Sequence, residues 1–201
     1  MENDVIFPLF YLPPTEFFKQ LVDNKGERVW IEKNEHFPKQ TFRNRTSIYG
    51  PNGKLNLIIP VVKGAKAHTK VKDVKISYEE DWQRLHWLSM QTSYRSSAYF
   101  EFYEDDYAPF YEKRHTFLFD FNQELLEILF KQLKLKVNIK YTESYKTDYS
   151  LDFRENIHPK KENGYIAKPY YQVFEDKYGF LPNLSIIDLL FNQGPQALKH
   201  L

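Results

Sequence analysis

The stretch that decides the fold runs from Glu35 to Val61 and reads EHFPKQTFRNRTSIYGPNGKLNLIIPV. Its second half places β-forming residues on both sides of Pro51-Asn52-Gly53. An Asn-Gly pair between two such runs is a strong hairpin signal, because both central residues of a type I′ turn adopt positive φ. The stretch therefore predicts a β-hairpin that is approached by three polar residues, Arg43-Asn44-Arg45.

These three polar residues indicate an anion-binding site, since a guanidinium makes bidentate, charge-assisted bonds to phosphate or carboxylate. On a strand, alternation would put Arg43 and Arg45 on one face and Asn44 on the other, where it would tie the backbone. Two like charges side by side need a shared anionic partner. That partner is either a ligand or an acid of the same chain such as Asp188, and the sequence leaves both alternatives open.

Length and composition narrow the class of protein. The chain has 201 residues, which predicts one domain over residues 1–201. A hydrophobic core of that size is stable without disulfide bonds or a structural metal. A net charge of +1 argues against nucleic acid or an anionic membrane as a partner. The absence of cysteine excludes disulfides, thiolate metal sites and cysteine nucleophiles.

The expected location follows from two further features. No apolar run approaches the roughly 20 residues that span a bilayer, so no membrane insertion is expected. Met1 is followed by Glu2 and Asp4, which have the wrong charge for a signal peptide. We therefore expect a cytoplasmic protein, and the sequence carries no signal for an oligomeric state.

Cofactor and metal sites are not predicted. None of the 7 glycines forms a dinucleotide-binding or triphosphate-binding loop. The six histidines show no H-x-x-x-H or H-E-x-x-H spacing. Aromatic residues, however, reach 17% of the chain, with 15 Tyr and 17 Phe. Their main expected use is a Phe/Tyr-rich core, and the alternative is a surface that stacks on sugars or partners.

The remaining segments predict an α/β fold, a single domain with a mixed β-sheet and flanking helices. Strand-like runs lie at residues 5–12, 28–32, 71–77, 137–141 and 170–174. Helical patterns lie at residues 15–21, 77–94, 117–135 and 185–191. Three segments are predicted to be irregular or exposed: a basic loop at 63–70 that either is solvated or holds a phosphate, an acidic and aromatic stretch at 94–111, and a long loop at 142–168.

Candidate site residues come from several of these segments. By intrinsic pKa, His36 and His86 are the best general bases. Asp188 either orients a base or belongs to the capping pattern that Ser185 begins. The candidates for substrate binding are Tyr11, Trp82 and Tyr99 as a stacking wall, Arg43, Asn44 and Arg45 as the anion clamp, and Asn192 as a ligand of sugar hydroxyls.

Four separated stretches resemble the WbqC-like family. They are Pro8 to Pro13 with Phe17-Phe18, then Phe42 to Val61, then Trp82, His86, Tyr94 and Ala98-Tyr99-Phe100, and finally Phe180 to Gly194. The resemblance implies a bacterial cytoplasmic protein tied to O-antigen and other surface-polysaccharide synthesis, with a role in modifying a sugar nucleotide or amino sugar. An acid often precedes the central motif by about ten residues in that family, whereas Asn34 stands there in this chain, with Glu32 and Glu35 nearby.

Two functions follow as hypotheses. The first is a transferase whose small-molecule substrate is an activated sugar, such as a nucleotide sugar, or an acyl donor. The second is a non-catalytic binding or scaffold protein that presents its aromatic surface within a polysaccharide-biosynthesis complex.

Overall fold

A computed structural model describes residues 3–62, 68–161 and 164–201. Its strands are β1 (Asp4–Pro8), β2 (Arg28–Glu32), β3 (Arg45–Gly50), β4 (Gly53–Ile58), β5 (Ile139–Tyr141) and β6 (Leu151–Asp152). Its helices are α1 (Thr15–Asp23), α2 (Trp82–Tyr94), α3 (Phe100–Glu112), α4 (Leu118–Leu133), α5 (Glu175–Tyr178) and α6 (Ile186–Gln193). Two 3-10 helices, Val71–Asp73 and Gly194–His200, complete the set within these ranges.

A parallel sheet lies at the centre, with strand order β5-β2-β1-β6. β1 pairs with β2 from Asp4 opposite Arg28 to Pro8 opposite Glu32, and α1 connects the two strands. Most residues of β1 and β2 are buried, as expected for parallel strands that are covered on both faces. All four carboxyl ends therefore meet at one edge of the sheet, which is where open α/β sheets bind ligands.

The predicted hairpin is confirmed as a separate antiparallel pair. β3 and β4 pair from Arg45 opposite Ile58 to Gly50 opposite Gly53. The turn is not the expected type I′, because Gly53 has φ +95° but Asn52 has no positive φ. The pairing of Gly50 with Gly53 makes Pro51 and Asn52 the central residues, and Gly53 closes the turn. The predicted fold class, a mixed α/β domain with flanking helices, is also confirmed, and its parallel and antiparallel strands are divided between two sheets.

The aromatic residues form the core, as predicted. Phe7, Phe10, Phe17 and Phe18 are fully buried around β1 and α1, and further Phe and Tyr side chains of α2, α3, α4 and α6 continue the same cluster. Ring pairs such as Phe7 with Phe17, whose centroids lie 5.4 Å apart edge to face, are the favourable arrangement of aromatic quadrupoles.

Several local predictions were wrong. The stretch at 94–111 contains α3, because Phe100, Tyr103 and Tyr107 recur at helical spacing on the buried side. α2 begins at Trp82, after an N-cap at Asp81 with no side-chain cap bond, instead of at Ser77.

Residues 71–77 form a 3-10 turn and isolated bridges, and residues 170–174 form no strand. Residues 63–67 of the predicted basic loop lie outside the described ranges. The loop at 142–168 is largely irregular where it is described, apart from the two residues of β6, and its residues 162–163 also lie outside those ranges.

Candidate functional site

Arg43 and Arg45 do not form the predicted anion clamp together, because Arg43 is already paired with an acid of the same chain. The Arg43 side chain is 1% exposed, and its Nε and Nη2 donate to the two carboxylate oxygens of Glu35 at 2.7 and 2.8 Å. The structure therefore supports an internal acid for Arg43, and that acid is Glu35 instead of Asp188. The prediction that Arg43 and Arg45 share one face of a strand is wrong, because β3 begins only at Arg45 and Arg43 lies before it.

The Arg43–Glu35 pair belongs to a buried ion network at the carboxyl edge of the parallel sheet. Arg154, just after β6, donates to Glu32 Oε2 at 3.1 Å and to Asp152 Oδ1 at 3.0 Å. Arg43 Nη2 also donates to the Arg154 carbonyl at 3.2 Å. Burial raises the pKa of the Glu35 carboxyl, and the Arg43 guanidinium opposes that rise. Two guanidinium groups thus pair with three carboxylates within this network, and Asp152 is the carboxylate that is partly exposed.

The ion network also includes the neighbours of Asn34, the position where the resemblance implies an acid. Asn34 stands between Glu32 and Glu35, and both of these acids pair with an arginine. Asn34 itself donates from Nδ2 to the Thr142 carbonyl at 2.9 Å, which ties β2 to the end of β5. Carboxylates are therefore present at this edge although position 34 is an amide.

Arg45 lies in a different environment. It is half-buried, it makes no ion pair among the described residues, and its buried Nε has no hydrogen-bond partner there. Asn44 donates from Nδ2 to the Ile59 carbonyl at 2.9 Å, which leaves the buried Oδ1 without a donor. The hairpin thus begins with an uncompensated guanidinium and an unused amide oxygen.

His86 of α2 lies next to this end of the hairpin. Its imidazole lies close to the backbone of Ile58, the residue opposite Arg45 in the β3–β4 register. Its Nδ1 lies 3.0 Å from Tyr11 Oη, and its ring centroid lies 5.1 Å from that of Trp82. Burial lowers the pKa of His86 to about 4, so the imidazole is neutral at physiological pH. The Trp82 Nε1 is buried and has no acceptor in the described part of the chain.

Five predicted residues lie around the end of β4, because Tyr11 and Trp82 contact His86, while Asn44 and Arg45 pair with Ile59 and Ile58. We call them the hairpin–α2 cluster, whose members are Tyr11, Asn44, Arg45, Trp82 and His86. Unpaired buried polar atoms are rare in native proteins and each one needs an explanation. This cluster contains three, the guanidinium Nε, the indole Nε1 and the amide Oδ1 described above.

Asp188 lies in another part of the core and is fully buried. Its carboxylate accepts from Tyr94 Oη at 2.8 Å, from Tyr170 Oη at 2.7 Å and from Gln172 Nε2 at 2.9 Å. Burial raises the Asp188 pKa to about 6, and the three donors oppose that rise. Asn192 donates from Nδ2 to the Asp188 carbonyl at 2.7 Å.

Two other predicted residues lie apart. Tyr99 is half-buried and packs against Gly194 at the end of α6. His36 is exposed on the surface, where its Nδ1 lies 3.1 Å from the His68 carbonyl and its ring lies 4.9 Å from the His68 ring. Among the described residues, no three His, Asp or Glu side chains are grouped so that they could hold a metal ion.

Sequence reasoning named Glu32 and Glu35 only as acids near Asn34, and it missed Asp152, Arg154, Tyr170 and Gln172. Acids at the ends of predicted strands were an available signal for Glu32, because strand ends gather at one edge of a parallel sheet. Arg154 lies 122 residues from Glu32 and within a predicted loop, so no local pattern connected the two residues.

The fold and the site define an α/β protein with an ion network at the carboxyl edge of its parallel sheet and a hairpin that begins with Arg45, which has no ion-pair partner in the described ranges. The chain belongs to the WbqC-like protein family, whose model matches residues 10–161 and 151–200.

The chain is also similar to Uncharacterized protein Rv1507c of Mycobacterium tuberculosis. The two are 25% identical over 229 aligned residues, which cover 100% of this chain and 98% of the relative. No solved structure matches the chain significantly. In the described ranges, none of the helices has the length and apolar character needed to span a bilayer.

Proposed function

We propose that this chain is a cytoplasmic, transferase-like protein that acts on an activated sugar or amino sugar in bacterial surface-polysaccharide synthesis. Its small-molecule substrate carries an anionic group that Arg45 binds. The observation that carries this proposal is the half-buried Arg45 guanidinium, whose Nε has no partner among the described residues. A partly desolvated charge without a counter-ion is unfavourable, and an anionic ligand would compensate for it.

The other unpaired atoms support a hydroxylated ligand. The Asn44 Oδ1 is an acceptor without a donor, and the Trp82 Nε1 is a donor without an acceptor. A sugar phosphate offers hydroxyl groups of both kinds next to its anionic oxygens. In this proposal Arg43 supports the site, since its own charge is taken up by Glu35. Roles of Tyr11 in stacking and of His36, His86, Asp188, Tyr99 and Asn192 in binding or catalysis stay predictions from the sequence.

One observation favours the alternative, a non-catalytic binding or scaffold protein. The acid/base candidates in the core are engaged, because His86 Nδ1 is hydrogen-bonded with Tyr11 Oη, and Asp188 is enclosed by three donors. Such groups are able to shape a binding site without exchanging protons with a ligand. Both alternatives use the Arg45 guanidinium, and they differ in whether the ligand is consumed.

Titration calorimetry with pyrophosphate, nucleotide sugars and acyl donors tests the proposal. We expect Arg45→Ala to lower the affinity for a phosphate-bearing ligand at least about tenfold, as loss of a charge-assisted bond predicts, without lowering the melting temperature. Arg84→Ala removes the same charge from an exposed position of α2 and is the matched control. Unchanged binding in Arg45→Ala would refute the anion role, and a bound donor that is not consumed with any acceptor would favour the scaffold.

A further inference from the structure

The outer surface of α2 and α3 has no role in the proposed function, yet it carries exposed apolar side chains. Phe102 of α3, from the acidic and aromatic stretch of the sequence, is 77% exposed. Leu85 and Leu88 of α2, one turn apart, are 54% and 51% exposed. A single exposed apolar side chain is ordinary, whereas several on one surface indicate a place where another molecule binds.

The packing of the two helices places these side chains on one surface. Residues 95–99 connect α2 to α3. Gln83, at the beginning of α2, donates from Nε2 to the carbonyls of Phe110 and Lys113 at the end of α3, at 2.9 and 2.7 Å. The helices are therefore antiparallel neighbours, and the end of α2 lies beside the beginning of α3, which contains Phe102.

A groove opens on the outer side of α2 at this same end. It has a volume of about 400 Å³, and its lining residues are Leu88, Gln91, Thr92, Arg95 and Ser96. Leu88 supplies an apolar wall, and a guanidinium such as that of Arg95 is attracted to the face of an aromatic ring. The groove therefore suits an aromatic side chain that is followed by an acid.

The two helices also differ in charge. α2 contains no acidic residue, and Arg95 directly follows it. α3 contains five acidic residues and no basic one. Asp105 lies one turn after Phe102, and both are exposed. Arg95 and Asp105 form no ion pair within the ranges that the structure describes. The surface thus carries an aromatic residue with an acid and also the groove and the base that would receive them.

We propose that the outer surface of α2 and α3 binds a second copy of this chain across a two-fold axis. Phe102 of each copy enters the groove beside Leu88 of the other, and Asp105 of each copy pairs with Arg95 of the other. A two-fold interface requires a self-complementary patch, because the same residues meet in both directions. Each helix has 13 residues and is about 20 Å long, so the interface is small and the dimer weak.

Sedimentation velocity from about 5 to 500 µM, the range of weak association, tests the proposal without a ligand. The average mass of the wild-type protein should rise with concentration from one chain toward two. Phe102→Asp should raise the dissociation constant at least about tenfold, because it removes the aromatic anchor. Ile166→Ala is the matched control, since it shortens an apolar side chain that is 89% exposed and lies outside both helices. This control should associate as the wild type does.

Exchange of the charges tests the two-fold arrangement. Arg95→Asp places two acids opposite one another and should weaken association, and the second substitution Asp105→Arg should restore it by reversing the pair. Local damage to the fold would not be repaired in this way, and melting temperatures near the wild-type value show that the variants are folded. A wild-type protein that stays monomeric at the highest concentration overturns the proposal. So does a dimer that Phe102→Asp leaves intact, or a double variant as weak as Arg95→Asp alone.

Discussion

Replacing Arg43 by alanine tests whether this residue supports the fold. The substitution removes two hydrogen bonds to Glu35 at 2.7 and 2.8 Å, one to the Arg154 carbonyl at 3.2 Å, and a guanidinium that lies 5.7 Å from the Phe10 ring centroid. It also leaves Glu35 buried without its counter-ion. That second effect is the larger one, because an uncompensated buried charge costs more than the hydrogen bonds themselves.

The expected loss is large for a single substitution. Breaking a buried ion pair from one side costs about 3–5 kcal/mol. For a chain of this length, each kcal/mol lowers the melting temperature by about 2–4 °C, so we expect a fall of roughly 6–20 °C. Urea denaturation and differential scanning calorimetry of Arg43→Ala and Arg45→Ala measure the two effects, and Arg45→Ala should stay near the wild type.

A double variant separates the charge effect from packing. Arg43→Met combined with Glu35→Leu replaces both charges by apolar side chains, and such replacements of buried pairs are often close to neutral. We therefore expect the double variant to be more stable than Arg43→Ala. An Arg43→Ala protein that loses less than about 1 kcal/mol would refute the reasoning, since a value of that size is typical of an exposed ion pair.

Two other parts of the chain allow similar tests. The Asp188 pKa is raised to about 6, so the stability contributed by its protonation is full below about pH 4 and is lost as the pH rises through 6. Urea denaturation from pH 4 to 7 should show a smaller change with pH in Asp188→Asn, and an equal change would contradict this. Gly194→Ala should lower the melting temperature, because φ is +51° and a Cβ would lie 2.5 Å from the Tyr99 ring. Gly26→Ala, where a Cβ meets open space, is the control, and equal melting temperatures for the two variants would contradict the reasoning.

The sequence predicted those parts of the fold whose cause is local. Pro51-Asn52-Gly53 favours a turn by its own backbone preferences, and the strands on either side were predicted from it, although the turn is not the expected type I′. The leucine stripe of α4 and the Ser185 cap of α6 are also local, and both elements were predicted. α3 was missed because its aromatic and acidic residues alternate closely, which hides the helical spacing of the buried side chains.

The candidate site was predictable as a set of residue types but not as an arrangement. Arg43 and Arg45 look equivalent in sequence, and only the path of the chain between β2 and β3 brings Glu35 to one of them. One of the three donors to Asp188 was likewise hidden, since Tyr94 lies 94 residues away on α2. Long-range pairs of this kind depend on the packing of whole elements, which no local pattern contains.

Arg43 supports the fold and Arg45 is proposed to bind the ligand, and this difference has a physical basis. A buried ion pair contributes little net stability because the cost of desolvating both charges offsets their attraction, and our hypothesis is that this pair serves to favour one geometry. The Arg43–Glu35 pair therefore fixes the backbone immediately before β3. Asn122 holds the same backbone, because its Nδ2 donates to the Arg43 carbonyl at 2.7 Å. Arg45 begins the strand from that fixed point. An arginine held in this way loses less conformational entropy when an anion binds, so preorganisation by Arg43 would raise the affinity of Arg45 without Arg43 touching the ligand.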